Sequence, residues 1–486
     1  MKLSALLASV SLPADITPDL DITALTSDSR AAAPGALFAA LSGSRTDGAR
    51  FIADAVMRGA SAILTPPDVQ VPVGTIHITA PNPRHALAVM AAAFAGPQPK
   101  RIAAVTGTNG KSSTAEFLRQ IWHARGHVSA SLGTLGLISD RPVPPPPALT
   151  TPDPVALAET LAALGRAGVD AIALEASSHG LDQNRLDGVA LTVAGFSNLT
   201  RDHLDYHGTI DAYRDAKLRL FADLLPTGHV AAVNADMDPV TVAGLAEIAA
   251  RRHHHLRTVG EKGRTLRLIA ARPLPEGQVL SLELFGERLE DMILPLPGRF
   301  QADNILLAAA MAWESDDEAR AVVNCLPEIG GVRGRCERAL SRPDGASVYV
   351  DYAHTPDALE RVLTSLRPHA TGRLIVIFGA GGDRDRGKRP LMGAVAAKFA
   401  DIAIITDDNP RSEDPAAIRA DVRAGCPDGL EIGGRRAAIA AGLDMLRAGD
   451  VLVVAGKGHE QGQIIAGITH PFDDRAVIRD LAGLPA

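Results

Sequence analysis

The residues Thr106-Gly107-Thr108-Asn109-Gly110-Lys111-Ser112-Ser113 close a short apolar run, RIAAV, and open a helix-forming stretch. In that context a glycine-rich turn aims backbone N–H groups and the positive end of a helix at phosphate. Lys111 would reach the terminal phosphates of a nucleotide, and Ser112 would hold Mg2+ through its hydroxyl. The general phosphate-loop pattern asks for glycine where Val105 stands, so this is a shortened variant, and an ordinary glycine-containing turn is the alternative reading. Later runs end in matching chemistry. Glu175 closes AIALEA, and His203 and Asp205 lie in SNLTRDHLDYHG, oxygen and imidazole groups suited to a Mg2+ shell around phosphates. Taken singly, such an acid reads as a helix cap and such a histidine as a structural residue. Together they suit a Mg-ATP centre.

These groups must be carried by the ends of strands. The runs RIAAV, AIALEA, LTVAGF and HVAAV, and after residue 330 SVYV, LIVIF, IAIIT and VLVVA, each stop at a polar or Gly-rich cluster followed by a helical stretch. Continuous apolar runs, as opposed to alternating ones, are the mark of parallel strands buried on both faces. The expectation is an α/β protein with two doubly wound, mainly parallel sheets, whose ligands sit beyond the carboxyl ends of the strands. Composition breaks at AGPQPKR and NCLPEIGGVRGR place domain boundaries near residues 98 and 330. The expected domains are therefore 1–98, a smaller α/β unit with ALFAAL, SAILT and TIHIT, then 99–330 and 331–486. RPVPPPP at 141–147 reads as a polyproline loop, and HHH at 253–255 as a solvated helix end.

The whole composition narrows the function classes. With 486 residues the chain is long enough for about three domains at roughly 100–200 residues each. Hydrophobic residues make up 46% and charged residues 22%, the balance of a globular chain despite 45 Gly and 33 Pro. A net charge of −7, with only 11 Phe, 4 Tyr and 2 Trp, argues against nucleic acid as a partner. Three scattered cysteines suit a reducing compartment, so the cytoplasm is expected. MKLSALLASVSLPADI matches a signal peptide weakly and an amphipathic first helix better, and no apolar segment is long enough to span a membrane.

GTNGKSS, EASSHGLDQNR, SNLTRDHLDYHG, GRFQADN, VDYAHTPDAL, GAGGDRDRGKRP, DDNPR and AGKGHE occur in this order, and the set resembles the Mur ligases from Ser27-Asp28-Ser29-Arg30 to about Arg475. The resemblance implies a UDP-binding domain, a central ATPase and a C-terminal amino-acid domain. It implies an ATP-dependent amide ligase that adds meso-2,6-diaminopimelate to UDP-N-acetylmuramoyl-L-alanyl-D-glutamate through an acyl phosphate, in peptidoglycan precursor synthesis. A lysine-adding or folylpolyglutamate-type ligase of the same architecture is the alternative, and a nucleotide switch without ligase activity is the rival from another class. Carried over by position, Ser27, Ser29, Ser44, Arg45 and Thr46 resemble UDP-holding residues, and Thr150, Thr151, Ser177, Gln183 and Arg185 match those that hold the muramoyl dipeptide. Gly107 to Ser113, Asn304, Arg335 and Asp351 match the ATP site, and Arg384, Asp408, Asn409, Pro410, Arg411, Gly456 and Glu460 the diaminopimelate pocket. The implied catalytic set is Lys111, Lys217, His203 and Glu175, with Ser112, Glu175 and His203 toward the metal. Lys217 falls on the family's N6-carboxylysine, which makes CO2 a modifier beside Mg2+ and ATP. Without the resemblance it reads as a surface lysine pairing with Asp215 or Asp211. Ser112 and Ser113 stand where threonine is commoner, Gln301 where asparagine is usual, and a monomer is expected.

Overall fold

The computed structural model describes residues 1–13, 19–43 and 46–484. The chain separates into two compact units, one made of Met1–Val259 with Leu307–Glu314, the other of Gly260–Leu306 with Ser315–Ala486.

The first unit carries two sheets. Strands β1 (Ala24–Thr26), β2 (Ala36–Ala39), β3 (Ala62–Thr65) and β4 (Ile76–Thr79) pair in that order, all parallel. The expected amphipathic first helix is Leu3–Ser9, which buries Leu3, Leu6 and Leu7. Next come β5 (Arg101–Thr106), β6 (Ser129–Gly133), β7 (Gly136–Ser139), β8 (Ala171–Glu175), β9 (Val193–Phe196), β10 (Val230–Asn234) and β11 (His255–Gly260), in the spatial order β11-β10-β9-β5-β8-β6-β7. All of these pairings are parallel except β6 with β7. β5 lies between β8 and β9, so Val105 sits beside Glu175 on one side and Gly195 on the other. This register brings three polar strand ends to one edge. Ile102, Ala104, Ile172, Leu174, Ala194 and Phe196 are buried beneath it with Leu161 and Phe221. Helices cover the strands and begin at side-chain caps, Asp153 for Pro154–Arg166 and Thr209 for Ile210–Arg219, which satisfy the first free N–H groups.

In the second unit, β12 (Leu266–Leu274), β13 (Gly277–Leu284) and β14 (Glu287–Leu294) form an antiparallel meander in which β13 alternates buried and half-buried residues. The main sheet has the order β15 (Glu337–Ser341), β16 (Ser347–Asp351), β20 (Val451–Ala455), β17 (Leu374–Phe378), β18 (Ile402–Ile405) and β19 (Leu430–Glu431), parallel apart from the β15 edge. Asp351 pairs with Ala455 at the carboxyl ends. A hairpin of β21 (Gly462–Ile465) and β22 (Ile468–Pro471) follows β20. The strands expected from apolar runs are thus β5, β8, β9, β10, β16, β17, β18 and β20. One expectation is corrected. His253 and His255 are exposed, but His254 is buried and its Nε2 lies 2.9 Å from the Phe221 carbonyl oxygen, because the chain turns inward to start β11.

Candidate active site

Lys111 opens the helix Lys111–Ala124 behind Gly110, which adopts the left-handed conformation at its N-cap. Gly107 has φ 140°, and a Cβ there would collide with Ser197 Oγ, so only glycine lets the loop lie against the chain after β9. That chain braces the loop. Thr108 N donates to the Asn198 carbonyl at 2.8 Å, Asn109 N to Asn198 Oδ1 at 3.0 Å, and Ser197 Oγ to the Asn109 carbonyl at 2.6 Å. Lys111 Nζ donates to the carbonyls of Gly107 and Thr108, both at 2.9 Å.

Lys217 departs most from its surface reading. Only 1% exposed, its Nζ donates to the Gly107 carbonyl at 2.8 Å and lies 4.4 Å from the centre of the Tyr213 ring. Burial, and after it the Lys111 ammonium, push its pKa well below the usual lysine range. Tyr213, raised to about 12 by burial, donates from its hydroxyl to Thr108 Oγ1 at 3.3 Å.

Glu175 is buried at the end of β8 and accepts from Thr134 N at 2.7 Å and Thr134 Oγ1 at 3.2 Å. Thr134 Oγ1 is 3.0 Å from Thr150 Oγ1. Thr151 Oγ1 donates to the Glu175 carbonyl and lies 3.0 Å from Ser177 Oγ, the cap of the helix Ser178–Asp182. Arg185 donates to the Thr151 carbonyl at 2.6 Å and to Gln183 Oε1 at 2.7 Å, and burial lowers its pKa. Gln183 in turn donates to the Tyr206 hydroxyl at 3.2 Å. Four expected dipeptide-holding groups thereby join Glu175 through Thr134 and Thr151, and Gln183 joins them through Arg185. His203, in the left-handed conformation with φ 51°, packs edge-on at 5.0 Å between ring centres to His179, and burial lowers the His179 pKa. His203 and Asp205 are exposed, and among the described residues no three His, Cys, Asp or Glu side chains converge as a metal cage. Ser29 is buried in the turn capped by Asp28, Ser27 and Thr46 are exposed, and Ser44 and Arg45 lie outside the described residues.

In the second unit, Asp408, Asn409, Pro410 and Arg411 form the turn after β18. Asn409 Nδ2 donates to Glu460 Oε2 at 2.9 Å, and Asn409 Oδ1 accepts from Ile464 N at 3.0 Å. Arg411 has φ 55° and its Nη1 donates to the Gly382 carbonyl at 2.7 Å. A Cβ on Gly381 would reach Arg411 Nη1 and Arg384 Cγ, so Arg384 shares this corner. Gly456, with φ 116°, passes close to the Asp408 carboxyl. Asn304 Nδ2 donates to Gln301 Oε1, Gln301 Nε2 donates to the Arg335 carbonyl at 3.0 Å, and the Arg335 guanidinium stacks 4.5 Å over the Tyr352 ring. Asp351 accepts from Cys336 N at 2.7 Å and Ala353 N at 2.8 Å, while burial raises its pKa. Sequence reasoning passed over Thr134, Tyr213, Ser197 and Asn198, which brace the site, and Lys457, which stands after the apolar run VLVVA as Lys111 stands after RIAAV.

Known proteins match along nearly the whole chain. Residues 21–122 match the Mur ligase family catalytic domain, 105–312 the Mur ligase middle domain, and 334–458 the Mur ligase glutamate ligase domain. The chain is 52% identical, over 96% of both sequences, to the UDP-N-acetylmuramoyl-L-alanyl-D-glutamate--2,6-diaminopimelate ligase of Caulobacter vibrioides. It is 49% identical to the ligase of that name from Brucella melitensis, over 95% of this chain and 94% of the other. A solved structure of a ligase with the same name superposes with a TM-score of 0.72 at 31% identity, covering 99% of each chain. With its catalytic, middle and glutamate ligase domain models all matched and 52% identity over 96% of both sequences to a named relative, the chain belongs to the Mur ligase family.

Proposed function

We propose that this protein joins meso-2,6-diaminopimelate to UDP-N-acetylmuramoyl-L-alanyl-D-glutamate with cleavage of ATP, acting as a monomer in the cytoplasm in peptidoglycan precursor synthesis. The observation that carries the reading is the 52% identity over 96% of both chains to an enzyme so named. Boundaries near residues 98 and 330, as expected from composition, would divide the UDP-binding, ATP-binding and amino-acid-binding domains.

A carboxylate of the dipeptide attacks the γ-phosphorus of ATP, ADP leaves, and an acyl phosphate forms. The amine of diaminopimelate attacks the acyl carbon, and the tetrahedral adduct expels inorganic phosphate to give the amide. Lys111 exchanges its loop carbonyls for phosphate oxygens and meets charge that grows in the transition state. The Ser112 hydroxyl and the Glu175 carboxylate, both buried, are oxygen donors of the kind Mg2+ takes, and they would hold the ion with His203 beside it. When bound, the ion offsets phosphate charge. Thr150, Thr151, Ser177, Gln183 and Arg185 orient the dipeptide, and Ser27, Ser29, Ser44, Arg45 and Thr46 hold the uridine diphosphate. Asn304, Arg335 and Asp351 serve the nucleotide. Arg384, Asp408 to Arg411, Gly456 and Glu460 receive the amino acid.

Lys217 is N6-carboxylated in this reading. A lysine whose pKa is pushed down by burial gives up its proton more readily, and its freed electron pair attacks CO2 with loss of a proton to leave an anion. The anion suits a site that would hold Mg2+ beside the Lys111 ammonium. The test is an assay with ATP, Mg2+, the UDP-muramoyl dipeptide and a panel of amino acids, read by product mass. A product carrying diaminopimelate supports the assignment, and a product carrying only L-lysine or glutamate overturns it.

A further inference from the structure

Lys457 follows Gly456 at the end of β20, and its side chain has no exposed surface. An ammonium so enclosed cannot touch a substrate arriving from solvent. Its Nζ donates to Asn409 Oδ1 at 3.1 Å and to Glu460 Oε2 at 3.2 Å, and lies 3.8 Å from Asp408 Oδ1. Asn409 Nδ2 donates to the same Glu460 oxygen, so amide, carboxylate and ammonium close a ring across two loops. An isolated buried ammonium is costly, and this one is retained among one amide oxygen and two carboxylates.

We propose that Lys457 is a positioning residue of the amino-acid site: its ammonium ties the Asn409 turn to Glu460 and fixes the two carboxylates that face the incoming amino acid. The inference rests on the reading of this loop pair as the amino-acid site. Lys457 sits between Asp408 and Glu460, so one ammonium holds both carboxylates, and the buried Arg435 guanidinium adds to their attraction. Asp408 Oδ1 is buried and accepts no hydrogen bond, so the nearby Lys457 ammonium orients it by charge. Gln463 Nε2 donates to the Asp408 carbonyl at 2.6 Å and holds the backbone independently, so the loss of Lys457 would free side chains more than the turn itself.

The experiment compares wild type with Lys457→Met, which matches the aliphatic stem without the charge. The amino acid is the one wild type turns over best among meso-diaminopimelate, L-lysine and L-ornithine. Wild-type preference thus judges the substrate reading, and the variant judges Lys457. The expected result is a KM for the amino acid raised about tenfold or more, with the KM values for ATP and the UDP substrate within about twofold of wild type. In the Glu460→Gln background, adding Lys457→Met should raise that KM by a smaller factor than in wild type, because part of the ammonium's action runs through the carboxylate already removed. Lys457→Gln, which keeps a donor toward Asn409 and Glu460 without the charge, gives a second reading of the same KM if Lys457→Met does not fold. An unchanged amino-acid KM, equal rises for all three substrates, or effects that multiply in the double variant would each overturn the proposal.

Discussion

Arg411→Ala tests the choice between diaminopimelate and lysine, which differ by one carboxylate at the far end of the side chain. The Arg411 backbone is pinned by its neighbours, with its N–H donating to the Ile464 carbonyl at 2.9 Å and its carbonyl accepting from Ala466 N at 2.7 Å. Those bonds survive truncation. Alanine also bears the same left-handed φ of 55° as arginine, since both carry a Cβ. What is lost is the guanidinium, which the Gly382 carbonyl fixes through one of its donors and which can grip a carboxylate through two others. Removing a partner of a desolvated charge pair costs about 2–5 kcal/mol. Arg411 is half-buried, so solvent screening places the loss near the lower end, about 2–3 kcal/mol. At about 1.4 kcal/mol per decade this is roughly a 30- to 140-fold fall in kcat/KM for meso-diaminopimelate. Steady-state kinetics with ATP, UDP substrate and amino acid varied in turn should place the loss on the amino acid alone, and Arg411→Lys should recover only part of it. Wild type that uses L-lysine within about threefold of diaminopimelate, or Arg411→Ala that keeps the wild-type preference, would refute the reasoning.

Lys111→Ala should lower kcat by orders of magnitude in phosphate-release assays, and retention of more than about a tenth of turnover, a loss below roughly 1.4 kcal/mol, contradicts its phosphate role. Lys217→Ala should be nearly inactive and partly restored by short carboxylates, Lys217→Arg should not be restored, and intact mass should show one added CO2 on wild type. Because the folded pKa of Lys217 is depressed, the unfolded chain binds the extra proton, so in CO2-free buffer stability should rise with pH from the depressed value up to about 10.4. Lys217→Met should flatten that slope in denaturant titrations. Asp474→Ala leaves the fully buried Arg435 unpaired and should cost about 3–5 kcal/mol of stability, measured by urea unfolding.

The strands were legible because parallel β-strands buried on both faces must be continuously apolar, as LIVIF and VLVVA are. The junction from β5 into the helix at Lys111 was legible because Gly107 and Gly110 follow an apolar run and precede a helix-forming stretch. Lys217 was not. Its helix has a polar sequence, and the burial of its amine is set by the Gly107 carbonyl, 110 positions away in the chain. Lys457 escaped notice for a similar reason: between two glycines it looks like part of an exposed turn, and only Asn409 and Glu460 folded around it reveal a buried ammonium. His254 shows the reverse error, since three consecutive histidines suggest solvent while the middle one faces a backbone carbonyl.

The fully buried Arg435–Asp474 pair gives the helix Asp474–Leu481 more weight than its distance in sequence from the assigned residues suggests. Arg435 also donates to the Ala455 carbonyl at 2.9 Å, immediately before Gly456 and Lys457, so the helix Asp474–Leu481 is fastened to the strand that presents them. A stop codon just before position 474 would leave intact every residue assigned to substrate, yet remove the only carboxylate paired with Arg435 among the described residues. In a genetic screen such a late truncation should score as a null allele and fail complementation, despite encoding all of the assigned chemistry.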